Sequence, residues 1–193
     1  MLINMAFTYN AQQHTVLCMT PLEPALKIAI IVFVVLSLMG SVMWMMPTRR
    51  EKYLATLRLE ARKRGFTVQL IRVEPPRAQG EYESDTKNVA AYRLIRKKDA
   101  KGRQPDTTPW QVFKVDSIAN EGLPEGWSWK IGERALDKPQ LEVLKSVIGL
   151  LPEDVVGLES TPIHVSGYWS ENTDVEGMDA LKAALETLIE HRV

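Results

Sequence analysis

The 193-residue chain carries 24 Lys plus Arg against 24 Asp plus Glu, and its formal net charge of zero argues against a nucleic-acid partner. Its single cysteine, Cys18, rules out an intrachain disulfide framework or a cysteine-based metal site. The charge is nonetheless uneven: Arg49 to Arg64 holds seven cations against Glu51 and Glu60, while Asn120 to Val193 holds fourteen acids against six Lys or Arg.

Residues 1–24 show no sustained hydrophobic period and little charge, and they read as a short unstructured leader. From Met19 onward the chain reads as a compact signal-anchor, which makes Met19 a candidate start. Cys18 lacks the preceding signal peptide that lipidation requires. Ile28 to Met46 then runs for 19 residues without a charge. As a helix this stretch spans roughly 28 Å, about the hydrocarbon thickness of a bilayer. Residues 25–47 are therefore predicted to cross a membrane, with Trp44 seated in the headgroup layer. Ser37, Gly40 and Ser41 give this helix a small face through which another membrane helix can approach closely.

Orientation follows from the flanks. Lys27 is the only cation before the apolar run, whereas Arg49, Arg50 and Lys52 follow it directly. The positive side stays inside, so the larger part of the chain is predicted to be cytoplasmic, at a bacterial inner membrane, with a short N-terminus outside. A cleaved signal peptide would need its cations first and a small-residue cleavage site, and neither is present. Arg49, Arg50 and Lys52, with Trp44, are the expected contacts to lipid headgroups.

Pro47 ends the span, and Thr48 and Glu51 have the spacing of a capping box. Residues 48–65 read as a basic juxtamembrane helix that stops at Gly65, with Leu54, Leu57 and Ala61 on its apolar side. From Pro24 to Leu59, the order of outer leader, single span, proline and basic helix resembles the small auxiliary subunit of the Sec translocon. That likeness is topological, without a shared motif. A much larger domain follows here, so the likeness implies no function and no residue roles.

Residues 66–193 are predicted to form one α+β domain. Phe66 to Val73, Val89 to Ile95, Trp110 to Val115, Trp127 to Ile131 and Ile163 to Trp169 read as about five mainly antiparallel strands. Two polar connections, Pro75 to Asn88 and Lys97 to Pro109, separate the first three. Asp137 to Gln140 caps a helix with apolar Leu141, Leu144, Ile148 and Leu151. Thr173 to Glu176 caps a last one with Met178, Leu181, Leu185 and Leu188 as its buried stripe. With the juxtamembrane helix this makes three helices after the span, packed mainly on one sheet face.

No phosphate loop, zinc-binding helix, Cys pair or nucleophile elbow occurs in the chain. The three histidines, His14, His164 and His191, are dispersed, so no metal site, no cofactor and no catalytic residue are assigned. The best candidate ligand or partner face is the polar side of the last strand, His164, Ser166 and Tyr168, with Glu171 just beyond. Trp110, Trp127, Trp129 and Trp169 read as core rather than as an aromatic groove. These features point to an accessory or scaffold subunit that meets the bilayer and a membrane-protein partner or another copy of itself. A tethered enzyme or small-ligand sensor using the His164 face is one alternative. An anionic-lipid adaptor acting through the basic helix is the other.

Overall fold

A computed structural model describes residues 22–98 and 101–193, and the leader readings, those on His14, Cys18 and Met19 among them, lie outside the described residues. The chain divides after Thr48 into two compact units. In the first, α1 (Leu22–Trp44) is a continuous helix that ends short of Pro47. Pro24 falls in its first turn, where a missing N–H costs no helical hydrogen bond. Within Pro24 to Trp44 an 18-residue window reaches a mean hydropathy of 2.5, and none of it is buried. The helix is long and apolar enough to cross a membrane.

The second unit is an α+β domain. Its elements run α2 (Arg49–Lys63), β1 (Thr67–Val73), β2 (Lys87–Ile95), β3 (Trp110–Phe113), β4 (Ser128–Ile131), α3 (Lys138–Leu150), β5 (Val155–Ser160), β6 (His164–Trp169) and α4 (Val175–Glu190). The strands form one antiparallel sheet of six in the order β1-β2-β6-β5-β3-β4, one more than the five expected. The additional strand is β5. A bulge between Val155 and Gly157 puts Val155 and Leu158 in one core while Val156 faces the other, and this erases the period-two signature of a strand.

Local chemistry sets the helix ends. After α2, Gly65 takes φ +92°, and the N–H groups of Gly65 and Phe66 donate to Arg62 O and Ala61 O, each at 3.1 Å. That pair of bonds is the Schellman closure that glycine permits. At α3, Asp137 Oδ1 accepts the Gln140 N–H at 2.9 Å, and Gln140 Oε1 accepts the Asp137 N–H at 3.2 Å. At α4 the expected cap shifts by one residue. Asp174, not Thr173, accepts the Glu176 N–H, because the Thr173 hydroxyl is committed to Asp154.

The helices cover one face of the sheet. Leu57 and Ala61 of α2, Leu144 and Val147 of α3, and Met178, Leu181, Leu185 and Leu188 of α4 all reach a core shared with β2, β5 and β6. All four tryptophans of the domain are buried there, as expected. Phe66, Tyr92 and Trp169 make an edge-to-face series with centroid separations of 5.4 and 4.9 Å. The opposite face holds a smaller cluster drawn from strands alone: Val73, Val89, Ala91, Phe113 and Tyr168.

Two glycines separate packing from propensity. A Cβ on Gly157 would lie 2.8 Å from Val112 O and from the Phe113 ring, so the Gly157→Ala variant is expected to lose about 1–3 kcal/mol. Gly149 lies exposed in α3 with nothing within 4 Å of an added Cβ, so Gly149→Ala should gain up to about 1 kcal/mol. Thermal melts of the two full-length variants against the parent read both changes.

Candidate functional site

β6 lies between β2 and β5, and their registers decide which side chains meet its polar side. Ser166 is the Cα partner of Arg93 on β2 and of Glu159 on β5, and Gln111 on β3 continues the same row beyond Glu159. His164 sits two residues before Ser166, on the same face. The structure therefore brings His164, Ser166 and Tyr168 together, and adds Arg93, Glu159 and Gln111 to them.

This face is not the wetted surface expected from the alternation. Ser166 is 0 % and Tyr168 1 % exposed. Tyr168 stacks on Phe113 at 5.5 Å and 21°, and its hydroxyl accepts the Gln111 Nε2–H at 2.7 Å. Burial, reinforced by the charge of Glu159, pushes the phenol above its ordinary value, so Tyr168 stays neutral.

His164 is half-buried, with a hydrogen-bond partner at one ring nitrogen and a carboxylate facing the other. Nδ1 lies 2.6 Å from Thr161 Oγ1, and Nε2 lies 3.7 Å from Glu159 Oε2. The Thr161 hydroxyl is also 2.9 Å from His164 O. One hydroxyl proton serves one acceptor at a time. In the neutral ring it goes to Nδ1, which leaves Nε2–H facing the Glu159 carboxylate. In the charged ring Nδ1–H donates to Oγ1, and the hydroxyl turns to the carbonyl. Burial and the guanidiniums of Arg93 and Arg96 hold the imidazole below its ordinary value, and the opposing charge of Glu159 does not outweigh them.

The Ser166 hydroxyl, Arg93 Nε, Glu159 Oε2 and His164 Nε2 are all buried without a hydrogen-bond partner within the chain. Ser166 thus has no base in reach, and the nucleophile–base contact that acyl transfer requires is not formed. Among the described residues, no group of three or more His, Cys, Asp or Glu converges as a metal site.

Glu171 does not belong to this cluster. It lies two residues past β6 with φ +56°, a conformation that turns its side chain to the helix-covered side. There it is 6 % exposed and accepts the Tyr92 hydroxyl at 2.7 Å and Arg58 Nε at 2.8 Å. The expected grouping with His164 fails because Glu171 lies two residues past Trp169, so the strand alternation itself carries it to the face of Val165 and Trp169 rather than that of His164, Ser166 and Tyr168. The pair serves to fasten α2 to the sheet. Arg64 with Asp179 and Arg50 with Asn172 add contacts at 2.9 and 3.0 Å.

A second hub escaped the sequence reading. Asp154 accepts the Trp169 indole N–H at 2.6 Å, the Asn172 and Thr173 N–H groups at 2.8 and 2.9 Å, and the Thr173 hydroxyl. Burial raises the carboxyl pKa, but these four bonds together outweigh it and hold Asp154 below the usual carboxylate range. Arg96 is a third such centre, donating to Thr161 O, Ser160 Oγ and Val193 O.

The remaining candidates lie on the surface. Trp44 is 94 % exposed at the end of α1. Arg49, Arg50 and Lys52 are exposed on the first turn of α2. Ser37, Gly40 and Ser41 are exposed on α1, with the Ser41 hydroxyl turned back to Leu38 O at 2.8 Å.

Arg58→Ala leaves the buried Glu171 carboxylate with Tyr92 alone and is expected to cost about 2–3 kcal/mol after allowance for the partial exposure of Arg58. Lys63→Ala breaks an exposed pair with Glu60 and should stay within about 0.5 kcal/mol in the same denaturation series. The sign for His164 follows from its depressed value. The folded state binds fewer protons, so the stability it contributes is complete above the unfolded value of 6.5 and is lost as pH falls through the folded one. His164→Gln should flatten the melting temperature against pH below that point, and side-chain NMR should place the His164 midpoint under 6.5.

Compared with protein-family models, curated proteins and solved structures, the chain matches none.

Proposed function

We propose that this chain is a single-pass protein of a bacterial inner membrane whose cytoplasmic domain acts as an interaction subunit of a membrane complex. The observation that carries the reading is α1, whose apolar stretch Pro24–Trp44 is unburied among the described residues. Such a surface calls for lipid or another membrane helix. The cations that follow it, against Lys27 alone before it, support a cytoplasmic domain.

The domain supports an interaction role through what its ionisable groups already do. Glu171, Asp154 and Arg96 are each committed to structural hydrogen bonds, and Ser166 and Tyr168 are shut in. A second reading, an adaptor for anionic lipid, draws on the exposed cations of α2: Arg49, Arg50, Lys52, Arg62 and Lys63. It calls for vesicle binding that falls steeply with salt.

An epitope inserted at exposed Gly80 tests orientation and partnership together. In spheroplasts the tag should survive external protease, and in inverted vesicles it should be cut. Crosslinking in cells followed by detergent purification should bring down a stoichiometric membrane protein. Digestion of the tag from outside would overturn the topology, and a solitary protein would overturn the subunit reading.

A further inference from the structure

We propose that the outer edge of β1 is a strand-addition site for an extended, net-acidic segment of a partner protein. This names the partner chemistry of the interaction role above and rests on that reading. β1 stands at one end of the sheet and pairs only with β2, through seven residues with no bulge. Among the described residues, no backbone hydrogen bond outside that ladder involves residues 67–73. Alternate N–H and C=O groups of β1 therefore point outward without a backbone partner, as a template for one more strand.

Proteins ordinarily shield such an edge with lysine, proline, a bulge or a very short strand. Thr67–Val73 has none of these, and Leu70 at its middle is 68 % exposed. Leu70 and Arg72 share a face and border a surface hollow with Arg58, Asn88, Trp169 and Glu171. An added strand would place one side chain over that hollow and the next but one beside Arg72.

Charge selects the occupant. β1 and β2 together carry Arg72, Lys87 and Arg93 and no acidic residue. A second copy laid antiparallel against this edge with Arg72 opposite Arg72 would set cation against cation, at a cost. An incoming antiparallel strand with an aliphatic residue opposite Leu70 and a carboxylate opposite Arg72 meets complementary groups at both, and carboxylates opposite Val73 and Thr67 lie on the other face, beside Lys87 and Arg93 of β2. Arginine on the edge thus disfavours the register that would pair it with itself and favours a carboxylate opposite it.

The test uses the full chain in lipid nanodiscs and a capped synthetic peptide, Glu-Glu-Val-Val-Thr-Val-Glu, with a lysine-for-glutamate version as its control. Backbone hydrogen exchange of β1 is the readout. The acidic peptide should slow exchange of the outward β1 amides by about tenfold at saturation, and the lysine peptide should not. Arg72→Glu, an exposed change that leaves the core intact, should narrow the preference for the acidic peptide, since Lys87 and Arg93 remain. Equal protection by both peptides, or none at millimolar concentration, would overturn the proposal. Protection that rises with protein concentration in the absence of peptide would assign the edge to a second copy and overturn it as well. Recovery of a membrane partner in the crosslinking experiment is independent of these outcomes, so the two readings fail separately.

Discussion

One carboxylate, Asp154, governs how the sheet hands over to its last helix. It stands at the start of β5, yet it gathers the indole of Trp169 and the N–H groups of Asn172 and Thr173 from the far side of β6. Those bonds fix the turn in which Glu171 takes its left-handed backbone, and that conformation delivers the Glu171 side chain to Arg58 and Tyr92. The same turn presents Asn172 to Arg50. The seating of both α2 and α4 on the sheet thus traces back to a single acceptor with four donors. Accepting bonds in its charged form is also what keeps that acceptor charged.

The two faces of the sheet are stabilised by different physics. The helix-covered face is apolar and aromatic, and its contribution scales with the area removed from water. The other face is narrower in its apolar part and runs a polar row from Arg93 through Ser166 and Glu159 to Gln111. In this row Ser166 Oγ, Arg93 Nε and Glu159 Oε2 lack a hydrogen-bond partner within the chain, so their burial costs stability. The register of β6 is held instead by its apolar side, where a slip of one residue would turn Val165 and Trp169 out of the core.

Much of this was legible in the sequence, and the failures have physical causes. The apolar span, the glycine stop at Gly65, the Asp137 cap and the leucine stripe of α4 are local signals, and each element stands where expected. β5 was illegible because its bulge spoils the alternation on which strand recognition depends. Without β5, Glu159 had no face and the row across Ser166 could not be assembled. The burial of Tyr168 depends on Phe113, which lies beneath it from a strand two places away in the sheet. Glu171 was misplaced because nearness in the chain was taken for a shared face, whereas its odd spacing from His164 puts it on the side of Trp169.

The strand order carries a consequence for how the molecule comes into being. β2 cannot close on its inner side until β6, more than a hundred positions after the end of α1, has been made. A chain that emerges N-terminus first therefore exposes a helix long and apolar enough to cross a membrane while the sheet is still incomplete. Long-range antiparallel pairing of this kind is slow, because loop closure precedes its reward. Exposure of the apolar helix is thus the early event of biosynthesis, and closure of the domain is its late one.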